Sequence, residues 1–151
     1  THVVDRLAIV RLENRNMRSN GYHVTALVGE DCDACLIVHG DVGASFGDEG
    51  RYHVSASFYT NSFLLTAGGI YDLTRFAMRF DPDGGGHANA CGCRIQALEG
   101  GMRTGRRVEH SDIEANLLEW LSMCFETIND FDASIERYGR ISCYIFVTHG
   151  K

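Results

Sequence analysis

A chain of 151 residues with 44% hydrophobic content is long enough for one domain with its own core. No apolar run approaches the roughly 20 residues of a membrane helix, and no basic stretch leads into an apolar one at the start, so the expectation is a soluble, cytoplasmic protein. The formal net charge of -6 argues against a protein that coats long nucleic acid through a wide basic surface.

Residues 3–12 (VVDRLAIVRL) fit both the strand and the helix period. YHVTALVG (22–29), ACLIVHG (34–40) and RYHVSASFYT (51–60) read as strands, the last with Tyr52, Val54, Ala56 and Phe58 alternating onto one face. DLTRFAMRF (72–80) reads as a short helix. Asp72 is its candidate N-cap, Leu73, Phe76, Ala77 and Phe80 form its apolar face, Arg75 and Arg79 share another face, and Pro82 ends it. ACGCRIQAL (90–98) resumes strand character. SDIEANLLEWLSMCFETIND (111–130) is the strongest helix, with Ser111 and Glu114 spaced as a capping box, and ISCYIFVT (141–148) is the expected last strand. No repeat, linker or low-complexity stretch interrupts the chain. These elements predict an α/β fold, a single domain over residues 1–151 with a mixed β-sheet flanked by helices.

Cys32, Cys35, Cys91, Cys93, Cys124 and Cys143 are embedded in apolar stretches, which suits reduced thiols used as small core residues. Cys32 and Cys35 with Cys91 and Cys93 could supply four zinc ligands, but the second pair lacks the usual spacing. The carboxylate groupings Asp31 with Asp33, His39 with Asp41, and Asp81 with Asp83 are explained most simply by turn chemistry. No P-loop, nucleophile elbow or His-Glu-x-x-His pair occurs.

The most informative stretch is DPDGGGHANACGC (81–93), between the short helix and a buried-looking strand. Glycine permits positive φ, and successive backbone N–H groups in such a turn can converge on an anion. Gly84, Gly85 and Gly86 therefore suit a phosphate, and His87 adds a side-chain donor. The plainer reading is a flexible loop with an incidental histidine. The small residues Ala88, Ala90, Cys91 and Gly92 that follow allow close packing beside a cleft. Residues 70–110 are the one basic third of the chain, with six arginines against five acidic groups.

Taken together, YDLTRFAMRF, GGGHANACG and the preceding strand VSASFYT resemble the DHH-associated C-terminal (GGGH-motif) domain of the DHH phosphoesterases, the nanoRNase and exopolyphosphatase-related proteins. The resemblance covers about residues 50–97. It implies that residues 1–151 are the substrate-binding part of a longer two-domain enzyme. An N-terminal DHH domain would hold two divalent metals, usually manganese, and hydrolyse phosphoesters or phosphoanhydrides. The implied ligand is a phosphorylated small molecule or a short single-stranded nucleic acid, gripped by Gly84, Gly85, Gly86 and His87 with Arg75, Arg79 and Arg94 assisting. Two departures stand out. Tyr59 and Thr60 replace the family's arginine and serine, with Tyr59 either an ordinary strand residue or a stacking surface for a base. Asp81, Pro82 and Asp83 replace one further glycine and bring negative charge toward the anion site. No Asp-His-His occurs, so the chain by itself has no assigned catalytic residue, metal ligand or cofactor. Two other readings remain open: a non-catalytic RNA- or nucleotide-binding module, as in the related domain of alanyl-tRNA synthetases, and a structural or oligomerisation domain whose glycines serve packing.

Overall fold

A computed structural model describes residues 2–4, 6–15, 17–40, 54–64 and 72–132, with the backbone alone for residues 2, 4 and 125–132. Tyr52, Asp41, Cys143 and the expected strand at 141–148 lie outside the described residues. The ambiguous stretch 3–12 resolves into two antiparallel strands, β1 (His2–Val4) and β2 (Leu7–Leu12). Arg6 turns the chain between them at φ 66°, held there by a two-pronged contact to Asp33 at 2.8 and 2.9 Å and a hydrogen bond to the Glu30 carbonyl.

YHVTALVG is not a strand: it forms helix α1 (Gly21–Val28). Its apolar residues fit either period over so short a window, and two facts outside that window decide the matter. The Asn20 side chain accepts from the His23 N–H at 3.1 Å and caps the helix. The next strand, β3 (Ala34–Gly40), runs parallel to β2, and a parallel pair requires a crossover element rather than a hairpin.

Antiparallel strands β4 (Val54–Thr60), β6 (Ala90–Arg94) and β5 (Gly85–His87) complete a six-stranded mixed sheet of order β1-β2-β3-β4-β6-β5. The expected strand at 90–98 leaves this sheet after Arg94. The reason lies in helix α3 (Ser111–Asp132), whose Asn116 side chain bonds both the N–H and the carbonyl of Gln96 while Asp112 accepts from the Leu98 N–H. Side chains thereby replace the ladder. Leu98–Glu99 (β7) instead pairs with Met102–Arg103 (β8) in a separate ribbon. Ser111 lies inside the first turn of α3, so the expected capping box does not form as spaced; Asp112 accepts from the Glu109 N–H at 2.7 Å, and Glu114 pairs with Arg11.

The short helix α2 (Leu73–Ala77) is confirmed, although it stops well before Pro82, and Asp72 accepts from the Thr74 hydroxyl rather than from a backbone N–H. Its Leu73, Phe76 and Ala77 join Ile113, Leu117 and Trp120 of α3 against Leu36, Val38, Ala56 and Phe58 of the sheet. Trp120 meets Phe58 edge-on at 5.2 Å and donates its indole N–H to the Phe76 carbonyl at 3.0 Å. The opposite face packs Ala8, Leu12, Cys35 and Ile37 under Val24 of α1. The result is the α/β class expected, a mixed sheet between α1 on one side and α2 and α3 on the other. Among the described residues, no helix is long and apolar enough to cross a membrane.

Candidate functional site: the glycine hairpin

The turn after α2 is organised by Asp81. Its carboxylate is 2% exposed and accepts from the Arg94 guanidinium at 2.6 and 2.9 Å, the Arg94 N–H at 2.8 Å and the Asp83 N–H at 3.1 Å. Burial works against its ionisation, and these hydrogen bonds more than offset that, holding the carboxyl below its usual range. Arg94 also reaches Asp83 at 2.5 Å. The negative charge that the sequence brings toward the glycines is thus partly neutralised inside the turn, and Arg94 is engaged as the clamp of that turn.

Three glycines then follow for three different reasons. A Cβ on Gly84 would lie 2.2 Å from the Ala77 carbonyl oxygen, so the turn passes directly under the end of α2. The Gly84 N–H is spent on the Asp81 carbonyl. Gly86, at φ 140°, would press a Cβ to 2.7 Å from the Ala90 carbonyl oxygen and 2.8 Å from the Cys91 Cα. Gly85 differs. It requires glycine through its φ of 148°, yet a Cβ there would meet nothing within 4 Å.

Gly85, Gly86 and His87 form β5, which among the described residues is the last strand of the sheet, paired with β6 on one side only. Along an edge strand, half of the peptide groups face away from the sheet without ladder partners. His87 is exposed, and among the described residues its imidazole makes no hydrogen bond. The register places His87 and Tyr59 on either side of Ala90, so all three share one face of the sheet. Thr60, which alternates to the other face, closes the end of the same strands, donating from its N–H to the Asn89 carbonyl at 3.0 Å and from its hydroxyl to Asn89 Oδ1 at 3.3 Å. Tyr59 is half-buried under the start of α1; a Cβ on Gly21 would lie 2.2 Å from its Cβ and Cγ. That packing favours the ordinary strand role for its ring.

The fold therefore gathers Gly84, Gly85, Gly86, His87, Tyr59 and Thr60. Arg75 and Arg79 go elsewhere, to a cleft between α2 and α3. The residues of that cleft supplied by α3 were not singled out in the sequence, because an exposed position on an amphipathic helix carries no signal of what faces it.

The remaining candidates are also accounted for. Cys32 and Cys35 belong to the core under α1, whereas Cys91 and Cys93 belong to the core under α2 and α3, so the two pairs lie on opposite faces of the sheet. Burial raises the thiol pKa to about 11 for Cys32 and Cys91 and about 12 for Cys35 and Cys93. His39 is not in a turn but within β3, 5% exposed, with Nδ1 unpartnered; burial, then the charge of Arg18, lowers its pKa. Among the described residues no group of three or more His, Cys, Asp or Glu side chains could hold a metal ion. Asp33 and Asp112 are paired with Arg6 and Arg106, as Asp81 and Asp83 are with Arg94. The described residues do not fit a two-metal centre.

No protein-family model matches the chain, and neither does any curated protein. Among solved structures, it superposes on the pGpG-specific phosphodiesterase PggH of Vibrio cholerae with a TM-score of 0.56 at 12% identity, over 83% of this chain and 35% of that one. The two share a fold. This chain therefore spans about a third of the length of that phosphodiesterase.

Proposed function

We propose that this chain is the phosphate- and nucleotide-binding domain of a phosphoesterase of the DHH type, with the glycine hairpin as its ligand-gripping element. The observation that carries this reading is the edge strand itself: among the described residues there is open space at Gly85, the outer peptide groups of the strand have no ladder partner, and the His87 imidazole makes no hydrogen bond. Backbone N–H groups and a neutral or protonated imidazole all donate to phosphate oxygens. The fold shared with part of a phosphodiesterase supports the same class. In this reading the chain's residues bind and orient a phosphorylated small molecule or a short oligonucleotide. Hydrolysis and its metals, manganese included, belong to a separate catalytic part.

A packing role for the glycines has support of its own, since close backbone contacts exclude a side chain at Gly84 and at Gly86. His87 separates the two readings. A hydrogen bond to a charged group contributes about 1.5 to 3 kcal/mol, so His87→Ala should weaken binding of a short 5′-phosphorylated oligoribonucleotide by about ten- to a hundredfold, with little change in melting temperature. Calorimetric titration measures the first and thermal denaturation the second. Unchanged affinity would defeat the phosphate-gripping role.

A further inference from the structure

Arg75, Met78, Arg79, Glu119, Ser122 and Met123 line a cleft of about 410 Å³ between α2 and α3. Arg6, Arg11, Arg94 and Arg106 each hold a carboxylate. Arg75 and Arg79 are exposed, and among the described residues neither forms an ion pair. Arg75 sits on α2 and Arg79 in the turn just after it, and both line the same cleft. The guanidinium of Arg79 lies 5.0 Å over the ring centroid of Phe80, which restrains its direction.

The opposite wall explains how two such cations remain available. Glu119 is the carboxylate of the cleft, yet it forms no ion pair with either arginine; it lies against the β7–β8 turn, where a Cβ on Gly101 would come within 2.8 Å of its Oε1. Ser122 adds a hydroxyl, and Met78 and Met123 add polarizable apolar surface. Two guanidinium-bearing side chains in the lining of one cavity match a phosphate. Thioether walls with a carboxylate beyond them match a flat base that carries N–H donors.

We propose that this cleft binds a nucleoside monophosphate group, its phosphate on Arg75 and Arg79 and its base between Met78 and Met123. The site is separate from the glycine hairpin. Helices α2 and α3 cover the sheet face that presents Phe58 and Cys91, whereas His87 shares a face with Tyr59 and Ala90, which alternate to the other side. Arg75 and Arg79 consequently serve a ligand of their own, and the inference does not depend on the hairpin binding phosphate.

The test is an NMR titration of the protein with 5′-GMP, 5′-AMP and inorganic phosphate, following the side-chain Nε–H signals of Arg75 and Arg79. The nucleotides are expected to move both signals and to bind more tightly than phosphate. Arg75→Gln and Arg79→Gln should each weaken nucleotide binding about tenfold, and the double variant about a hundredfold, with the melting temperature unchanged because both side chains are exposed. His87→Ala should leave these signals and this affinity intact. Arginine signals that stay still in the wild-type protein would overturn the site. Inorganic phosphate binding as tightly as either nucleotide would overturn its assignment to a nucleotide.

Discussion

At Asp81 a carboxylate removed from water accepts hydrogen bonds from a guanidinium and two backbone N–H groups, and each donor comes from the turn or from the strand that receives it. Removing the acceptor strands those donors, so Asp81→Ala should cost about 3 kcal/mol, the lower end for a buried pair because Arg94 can turn toward water. Urea denaturation measures that cost. The pH dependence follows from the direction of the shift. Asp81 and Asp112 both have folded-state pKa values below the unfolded one, so their contribution is complete above about pH 4 and is lost as the pH falls through the folded values. Melting temperature should accordingly drop below about pH 4, less steeply in Asp81→Asn; an equal slope would show that the Arg94 clamp does not govern acid stability. The sequence displayed the glycine run but not its causes. The groups that Gly84 and Gly86 approach, the carbonyls of Ala77 and Ala90, are brought near only by the turn and the hairpin.

Elements were legible where a period ran long or a breaker stood at the right place. Helix α3 is the clear case, because its apolar positions repeat over 22 residues. Helix α1 was misread because eight residues satisfy both periods, and the deciding requirement, a crossover between parallel strands, belongs to the sheet. Its cap is testable: Asn20→Ala should destabilise the protein by about 1 kcal/mol. Trp120 joins three elements, contacting Phe58 of β4 and donating to the Phe76 carbonyl of α2. Trp120→Ala should cost about 3 to 5 kcal/mol. Trp120→Phe keeps ring contact with Phe58 and loses one hydrogen bond to the Phe76 carbonyl, which still accepts from the Arg79 N–H at 3.3 Å, for about 0.5 to 1.5 kcal/mol. Equilibrium denaturation of both variants separates packing from the hydrogen bond.

For the molecule as a whole, the alternation of helical and strand patterns sufficed for the class, an α/β sheet flanked by helices. Strand order was not legible, since pairing depends on partners distant in sequence. The cysteines give a whole-molecule observable. Cys32, Cys35, Cys91, Cys93 and Cys124 are buried free thiols, and burial raises the pKa of the first four to about 11 or 12. Near pH 8 these five should resist a disulfide reagent in the folded protein, and unfolding without reductant should release six thiols, Cys143 included. Stoichiometric zinc by elemental analysis would contradict the packing role.

The strand order has a consequence for how the chain folds. Among the described residues, every neighbouring pair in the sheet joins strands adjacent along the chain except one, β4 with β6, across which α2 and β5 intervene. The β5–β6 hairpin closes over only Ala88 and Asn89, and such hairpins form within about 1 to 10 μs, long before a domain-sized search is complete. Joining that hairpin to β4 is the step that covers Phe58 and Cys91 together, and it is expected to limit the refolding rate. Phe58→Ala should then slow refolding, whereas Val24→Ala, under α1, should mainly hasten unfolding. On this order of events the segment from Gly85 to Ala90 takes its native shape early, and the rest of the domain assembles onto it.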